Sequence, residues 1–160
     1  MGFAAATVPV HRELLRLCGG DRARAEDLAQ DTFERTTRHL DRNPDRSVDV
    51  GWYVTVARSV FLDQLRRDRR DARLSDRLRR SAAGRDVVEP DWDAIDAGTA
   101  LRLLGALGDE QRAALVLFHL HDQPIAAVAA QLGRSVRATE SLLVRARQRL
   151  RLLVEEDLRA

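Results

Sequence analysis

The stretch "QLGRSVRATESLLVRARQRLR", residues 131–151, holds six arginines and one acid, Glu140, in a chain whose 27 basic and 25 acidic residues nearly cancel. Every basic residue is Arg. A guanidinium is a planar fork of donors that grips phosphates and guanine edges two bonds at a time. Arg137, Ser141, Arg145 and Gln148 follow at i, i+4, i+8 and i+11, with Arg134 just ahead. On a helix that spacing makes a polar ridge about as wide as the DNA major groove accepts. Arg147, Arg149 and Arg151 extend the charge along its flanks and suit sequence-independent attraction to phosphates.

Catalysis has no comparable footing. His11, His39, His119 and His121 are scattered, no Gly-rich phosphate loop occurs, and no Ser-His-Asp order points to a nucleophile. No catalytic residue, cofactor or metal ligand is expected. Cys18 is alone, so no intrachain disulfide or Cys-based zinc site can form; it reads as a small buried hydrophobe in a reducing compartment. The N-terminus lacks the charge and apolar core of a signal peptide, and the expected location is cytoplasmic.

Helices must position the arginines. Aromatics make up only 4 % of the chain, and Ala, Leu and Arg dominate, which predicts an all-α protein. A first helix spans Val8 to Leu17, stopped by Gly19-Gly20; Asp21 caps a second, whose face Ala25, Leu28, Ala29, Thr32, Phe33, Thr36, Leu40 is apolar. After the turn-forming "DRNPDRSVDV", a third helix carries the stripe Val50, Val54, Ala57, Phe61, Leu65. Periodicity fades over 74–98, which reads as a flexible linker between an N-terminal unit (1–73) and a C-terminal unit (99–160). In the latter, short helices at about 99–107 and 110–121, with Asp109 as cap, precede "PIAAVAAQL", a break at Gly133, and a last helix capped by Ser135 with the stripe Thr139, Leu142, Leu143, Ala146, Leu150, Leu153.

Two short helices around a Gly turn are the sequence form of a helix-turn-helix. An amphipathic hairpin with a solvated arginine face fits the same pattern. A second basic run, residues 66–80, favours nucleic acid: residues 1–88 carry 18 arginines against 14 acids, and residues 89–160 carry 9 against 11.

The segments "DRARAEDLAQDTFERTTRHLDR", "GWYVTVARSVFLDQLRRDRR" and "DEQRAALVLFHLHDQPIAAVAAQLGRSVRATESLLVRARQRLR" together resemble the extracytoplasmic-function sigma factors of bacterial RNA polymerase, within the sigma-70 superfamily. The resemblance covers about residues 8–73 and 99–152. It implies a non-enzymatic polymerase subunit of two small helical domains, region 2 (a three-helix bundle) and region 4 (the helix-turn-helix), that directs core polymerase to promoters. It also implies an anti-sigma factor as a partner.

Core polymerase would then meet Asp27, Gln30, Asp31, Glu34, Arg35 and Arg38, a face that composition alone also allows to be merely solvated. The minus-ten element would meet Asn43, Asp45, Arg46, Ser47, Trp52, Tyr53, Arg58, Arg66, Arg67, Arg69 and Arg70. Unstacked bases need an aromatic or polar pocket and positive charge, although Trp52 also suits core packing. The minus-35 element would meet Arg134, Ser135, Arg137, Ser141, Arg145, Gln148 and Arg149. The chain departs from the family's usual pattern at Leu107-Gly108, Ala127 and Arg137-Ala138-Thr139-Glu140, which bears on base preference more than on fold. The rival is a free-standing helix-turn-helix transcriptional regulator, which would bind duplex operators without polymerase. In the sigma-factor reading the linker holds the two domains apart, each weak on DNA until polymerase fixes their spacing.

Overall fold

The structure, a computed structural model, describes residues 3–75 and 96–159. Among these residues there is no strand, and seven α-helices follow in order. They are α1 (Phe3–Leu17), α2 (Arg22–Arg42), α3 (Val50–Ser75), α4 (Ala97–Gly105), α5 (Asp109–Leu115), α6 (Ile125–Leu132) and α7 (Val136–Arg159). Val116–Leu120 continues α5 as one wider, π-type turn.

α1 starts five residues earlier than its sequence predicts and runs through Pro9, which lacks the N–H a helix interior wants. Packing carries it across: Ala6 and Val10 are fully buried, and the Phe3 ring lies 4.3 Å from Phe33. Gly19 and Gly20, at φ 62° and 85°, then reverse the chain in the left-handed region. Asp21 accepts the Arg24 N–H at 3.1 Å and opens α2. The buried face of α2 is the predicted one, with Phe33 and Leu40 at its half-buried margins. Thr32 and Thr36 satisfy their hydroxyls on the preceding turn, donating to the Leu28 and Thr32 carbonyls. On α3, Ala57, Phe61 and Leu65 are buried as expected, joined by Tyr53, Val60 and Leu62.

In the second half, Asp96 caps α4 by accepting from Gly98 and Thr99, so the helix begins at Ala97. The remainder of the expected linker, residues 76–95, lies outside the described residues. Asp109 is not the cap of α5: Gly108 takes that position, and the Asp109 carboxylate accepts instead from Arg24 and Arg112. Gly133, at φ 61°, closes α6 in the left-handed conformation, and Ser135 Oγ accepts the Ala138 N–H at 3.2 Å to start α7. The α7 stripe is buried as read from the sequence, Leu153 lying half-buried at its end.

The largest correction concerns the two units, which were expected to stand apart. They pack against each other. A Cβ on Gly105 would lie 2.5 Å from the Gly19 carbonyl oxygen, so only glycine allows that approach. Arg112, 3 % exposed, donates through Nε to the Leu17 carbonyl at 2.7 Å and through Nη1 to Leu104 and Leu107 at 3.1 Å each. Its charge thus sits at the C-terminal ends of both α1 and α4, where unpaired carbonyls favour a cation. Beside this seam Cys18 is buried, and burial pushes its thiol up to about 11, in keeping with an inert packing role.

Candidate nucleic-acid interface

α7 is held against α5 and α6 by its apolar stripe, and Ala129 and Val128 on α6 are buried where the helices cross. Its opposite face reaches solvent. Ser135, Arg137, Ser141 and Arg149 are exposed, and Arg145 and Gln148 are half-buried beside them. Arg145 Nε donates to the Ser141 carbonyl at 3.2 Å, aligning it along the ridge. The side chains of Arg137 and Arg149 make no hydrogen bond or ion pair among the described residues. Arg147 departs from the flanking role expected of it: its guanidinium stacks over Phe118 at 5.5 Å and bonds His119 Nε2 at 3.3 Å. Arg151 pairs with Glu155 at 3.7 Å.

Two residues that the polar spacing passed over share this surface. Val144 lies between Ser141 and Gln148, half-buried, and Val136 is 42 % exposed at the first turn. An apolar side chain there suits a thymine methyl. Each is an aliphatic residue outside the buried period of α7, a signal present in the sequence.

The N-terminal set divides. Asn43, Asp45, Arg46 and Ser47 are exposed on the loop before α3, with Asn43 Nδ2 anchored on the His39 carbonyl at 2.8 Å. Trp52 is half-buried, its ring 5.2 Å from His39 and edge-on to Tyr53, and it lines a shallow groove with Thr55, Ser59 and Arg66. Tyr53 is 3 % exposed, so it offers no face to a base; it belongs to the core because it faces the α1–α2 side of α3 with Phe33. Arg58 is also drawn inward. Its Nε donates to buried Glu13 at 3.1 Å, and the same carboxylate oxygen lies 2.8 Å from His121 Nε2. Arg67 and Arg70 are exposed, whereas Arg66 and Arg69 reach the C-terminal half.

On α2, Asp27, Gln30, Asp31, Glu34, Arg35 and Arg38 are all exposed on one face. Glu34 accepts from Gln30 at 3.2 Å and from Arg38 at 2.9 Å, and Arg35 reaches Asp63 on α3 at 3.0 Å. Asp27 and Asp31, one turn apart, have no partner among the described residues. They leave an acidic strip suited to a basic protein surface. Among the described residues no group of His, Cys, Asp and Glu could hold a metal ion, and no helix is long and apolar enough to cross a membrane.

Known proteins align with this arrangement along most of the chain. The family model described as Sigma-70 region 2 matches residues 7–71, and that described as Sigma-70, region 4 matches residues 98–150. The ECF RNA polymerase sigma factor SigM of Bacillus subtilis is 32 % identical over 144 residues, covering 90 % of this chain and 87 % of that one. The ECF RNA polymerase sigma factor SigC of Mycobacterium tuberculosis is 31 % identical over 136 residues, covering 83 % and 71 %. Among solved structures, the sigma factor RpoE of Bartonella quintana, crystallised with the anti-sigma factor NepR, has the same fold. The TM-score is 0.57 at 24 % identity, covering 95 % of this chain and 93 % of that one.

Proposed function

The chain belongs to the extracytoplasmic-function sigma factors of the sigma-70 family, and from that premise we propose how its residues divide the work of starting transcription. Residues 1–73 act as region 2, residues 74–98 as the linker, and residues 99–160 as region 4. The α2 face of Asp27, Gln30, Asp31, Glu34, Arg35 and Arg38 docks on core polymerase. The loop residues Asn43, Asp45, Arg46 and Ser47, with Trp52 and the arginines of α3, receive the opened minus-ten strand. Arg134, Ser135, Arg137, Ser141, Arg145, Gln148 and Arg149 enter the major groove at minus 35.

The chain itself carries out no bond-making step in this reading; phosphodiester chemistry belongs to core polymerase, and the protein works in the cytoplasm. A further partner is an anti-sigma factor, as one accompanies the Bartonella quintana relative. The reading rests chiefly on one observation: the exposed arginines Arg137 and Arg149 of α7 and the acidic strip of α2 stand on different helices, so one molecule can hold DNA and a protein at once.

The test is reconstitution with core polymerase on a pool of genomic fragments, reading the initiated transcripts. Arg145→Ala should lower promoter-dependent initiation with core affinity intact, and Asp31→Ala should weaken core binding. Equal loss of core affinity in both variants would overturn the division.

A further inference from the structure

Six arginines crowd residues 131–151, and a single acid interrupts them. Glu140 is exposed on the face of α7 that also carries Arg137, Ser141 and Val144. It has no structural task there. Ser135 already caps the helix and the first turn of α7 holds no acid, so Glu140 lies too far in to meet the free N–H groups. Other acids three or four residues from an arginine pair with it: Glu34 with Arg38 at 2.9 Å, Asp63 with Arg66 at 3.3 Å, and Glu155 with Arg151 at 3.7 Å on this same helix. Glu140 instead has a valine one turn to either side, Val136 and Val144. It makes no hydrogen bond or ion pair among the described residues, although Arg137 stands three residues away.

A carboxylate on a ridge that approaches phosphates is repelled by them. Only a donor offered by the DNA offsets that cost. In the major groove guanine and thymine present acceptors, N7 and O6 or O4, and adenine sets its amino group beside the N7 acceptor; cytosine alone shows an amino donor with no acceptor of its own. Building on the reading that α7 enters the major groove at minus 35, we propose that Glu140 selects a cytosine in that element, its carboxylate accepting from the N4 amino group. The arginines of the ridge supply attraction, and Glu140 makes that attraction conditional. Over any other base the carboxylate meets an acceptor and pushes the helix off. Val136 and Val144 give it no donor on its own helix to turn to, so the base edge is the donor within reach.

Holoenzyme reconstituted from core polymerase and the full chain, on a promoter library randomised across the minus-35 element, tests this through the sequences of the templates that give transcripts. With the unmodified chain one position should favour cytosine over each other base by about tenfold. Glu140→Gln keeps the side chain's shape and sets a donor beside its acceptor, the pattern that suits adenine N6 and N7. That position should then turn from cytosine to adenine. Glu140→Ala should erase the preference there and leave the other positions as they were, while initiation over the whole library holds or rises because a repulsive charge is gone. Glu156→Ala, which removes the same charge from the exposed far end of α7, should change no base preference.

Glu140 is exposed and outside the buried stripe, so both of its variants should fold as the unmodified chain does, which circular dichroism checks. The same base preferences in Glu140→Ala and the unmodified chain, with only a uniform rise in initiation, would reduce Glu140 to a solvated charge and overturn the inference. Loss of preference at every position together would equally sink it, because a reader of one base leaves the reading of its neighbours intact. Neither result touches the sigma-factor reading. That reading fails if the unmodified chain initiates from no member of the library, and the inference then falls with its premise.

Discussion

Two clusters of the same side chain meet opposite fates in this molecule. On α3, Arg66 and Arg69 are engaged with carbonyls and a carboxylate of the other half; on α7, Arg137 and Arg149 reach into solvent with no partner among the described residues. Arg112 is the limiting case, nearly sealed between two helix ends. Composition treats all five alike. The difference lies in which acceptors the neighbouring helix brings within reach. The end of α6 presents its last carbonyls to α3, whereas the apolar stripe of α7 turns Arg137 and Arg149 away from the helices it packs on. Side-chain type decides what a residue is able to bind, and helix packing decides what it does bind.

The comparison breaks most readily at Arg112. Arg112→Ala strips a donor from the Leu17, Leu104 and Leu107 carbonyls. Leu104 keeps the Leu107 N–H at 3.2 Å, so two buried acceptors are left unpaired; at about 1–3 kcal/mol each the expected loss is roughly 2 kcal/mol or more. For a chain of this size that lowers the thermal midpoint by about 4–8 °C, readable by circular dichroism. A shift of a degree or two would mean that water replaces the guanidinium, and the distinction between sealed and solvated arginines would lose its basis.

Arg137→Ala should do the reverse. Stability stays within about 0.5 kcal/mol, as for other surface substitutions. Discrimination at one promoter base weakens by about 1–3 kcal/mol, measured by competition among minus-35 duplexes that differ at single positions. Uniform weakening across all duplexes would move Arg137 from base reading to phosphate contact.

Why the seam escaped the sequence follows from these same residues. The stripe Thr139, Leu142, Leu143, Ala146, Leu150 repeats at the helical period and is buried as read, and so are Ala25, Leu28, Ala29, Thr32 and Thr36. Periodicity records burial within a helix pair because both sides are apolar. The acceptors at the seam are main-chain oxygens of Leu17, Gln131 and Leu132, and every residue has one, so nothing in the string marks them. Residues 3–7 join α1 for a related reason: Ala6, Val10 and the Phe3–Phe33 contact, which join residues far apart in sequence, outweigh the N–H missing at Pro9. Tyr53 had a period that fits the core and a chemistry that fits a base, and burial chose the first.

The smallest effect sharpens the comparison most finely. Each phosphate contact contributes about 0.9 to the slope of log affinity against log salt on duplex DNA. Arg149 is exposed and unpaired on α7, so Arg149→Ala should flatten the slope by roughly that amount, changing affinity only about threefold between 50 and 200 mM salt. Arg66 carries the same charge but donates to the Gln131 carbonyl. Arg66→Ala should therefore leave the slope for a minus-35 duplex unchanged. Equal slope changes in the two variants would show that salt, and not packing, sets which arginines meet phosphate.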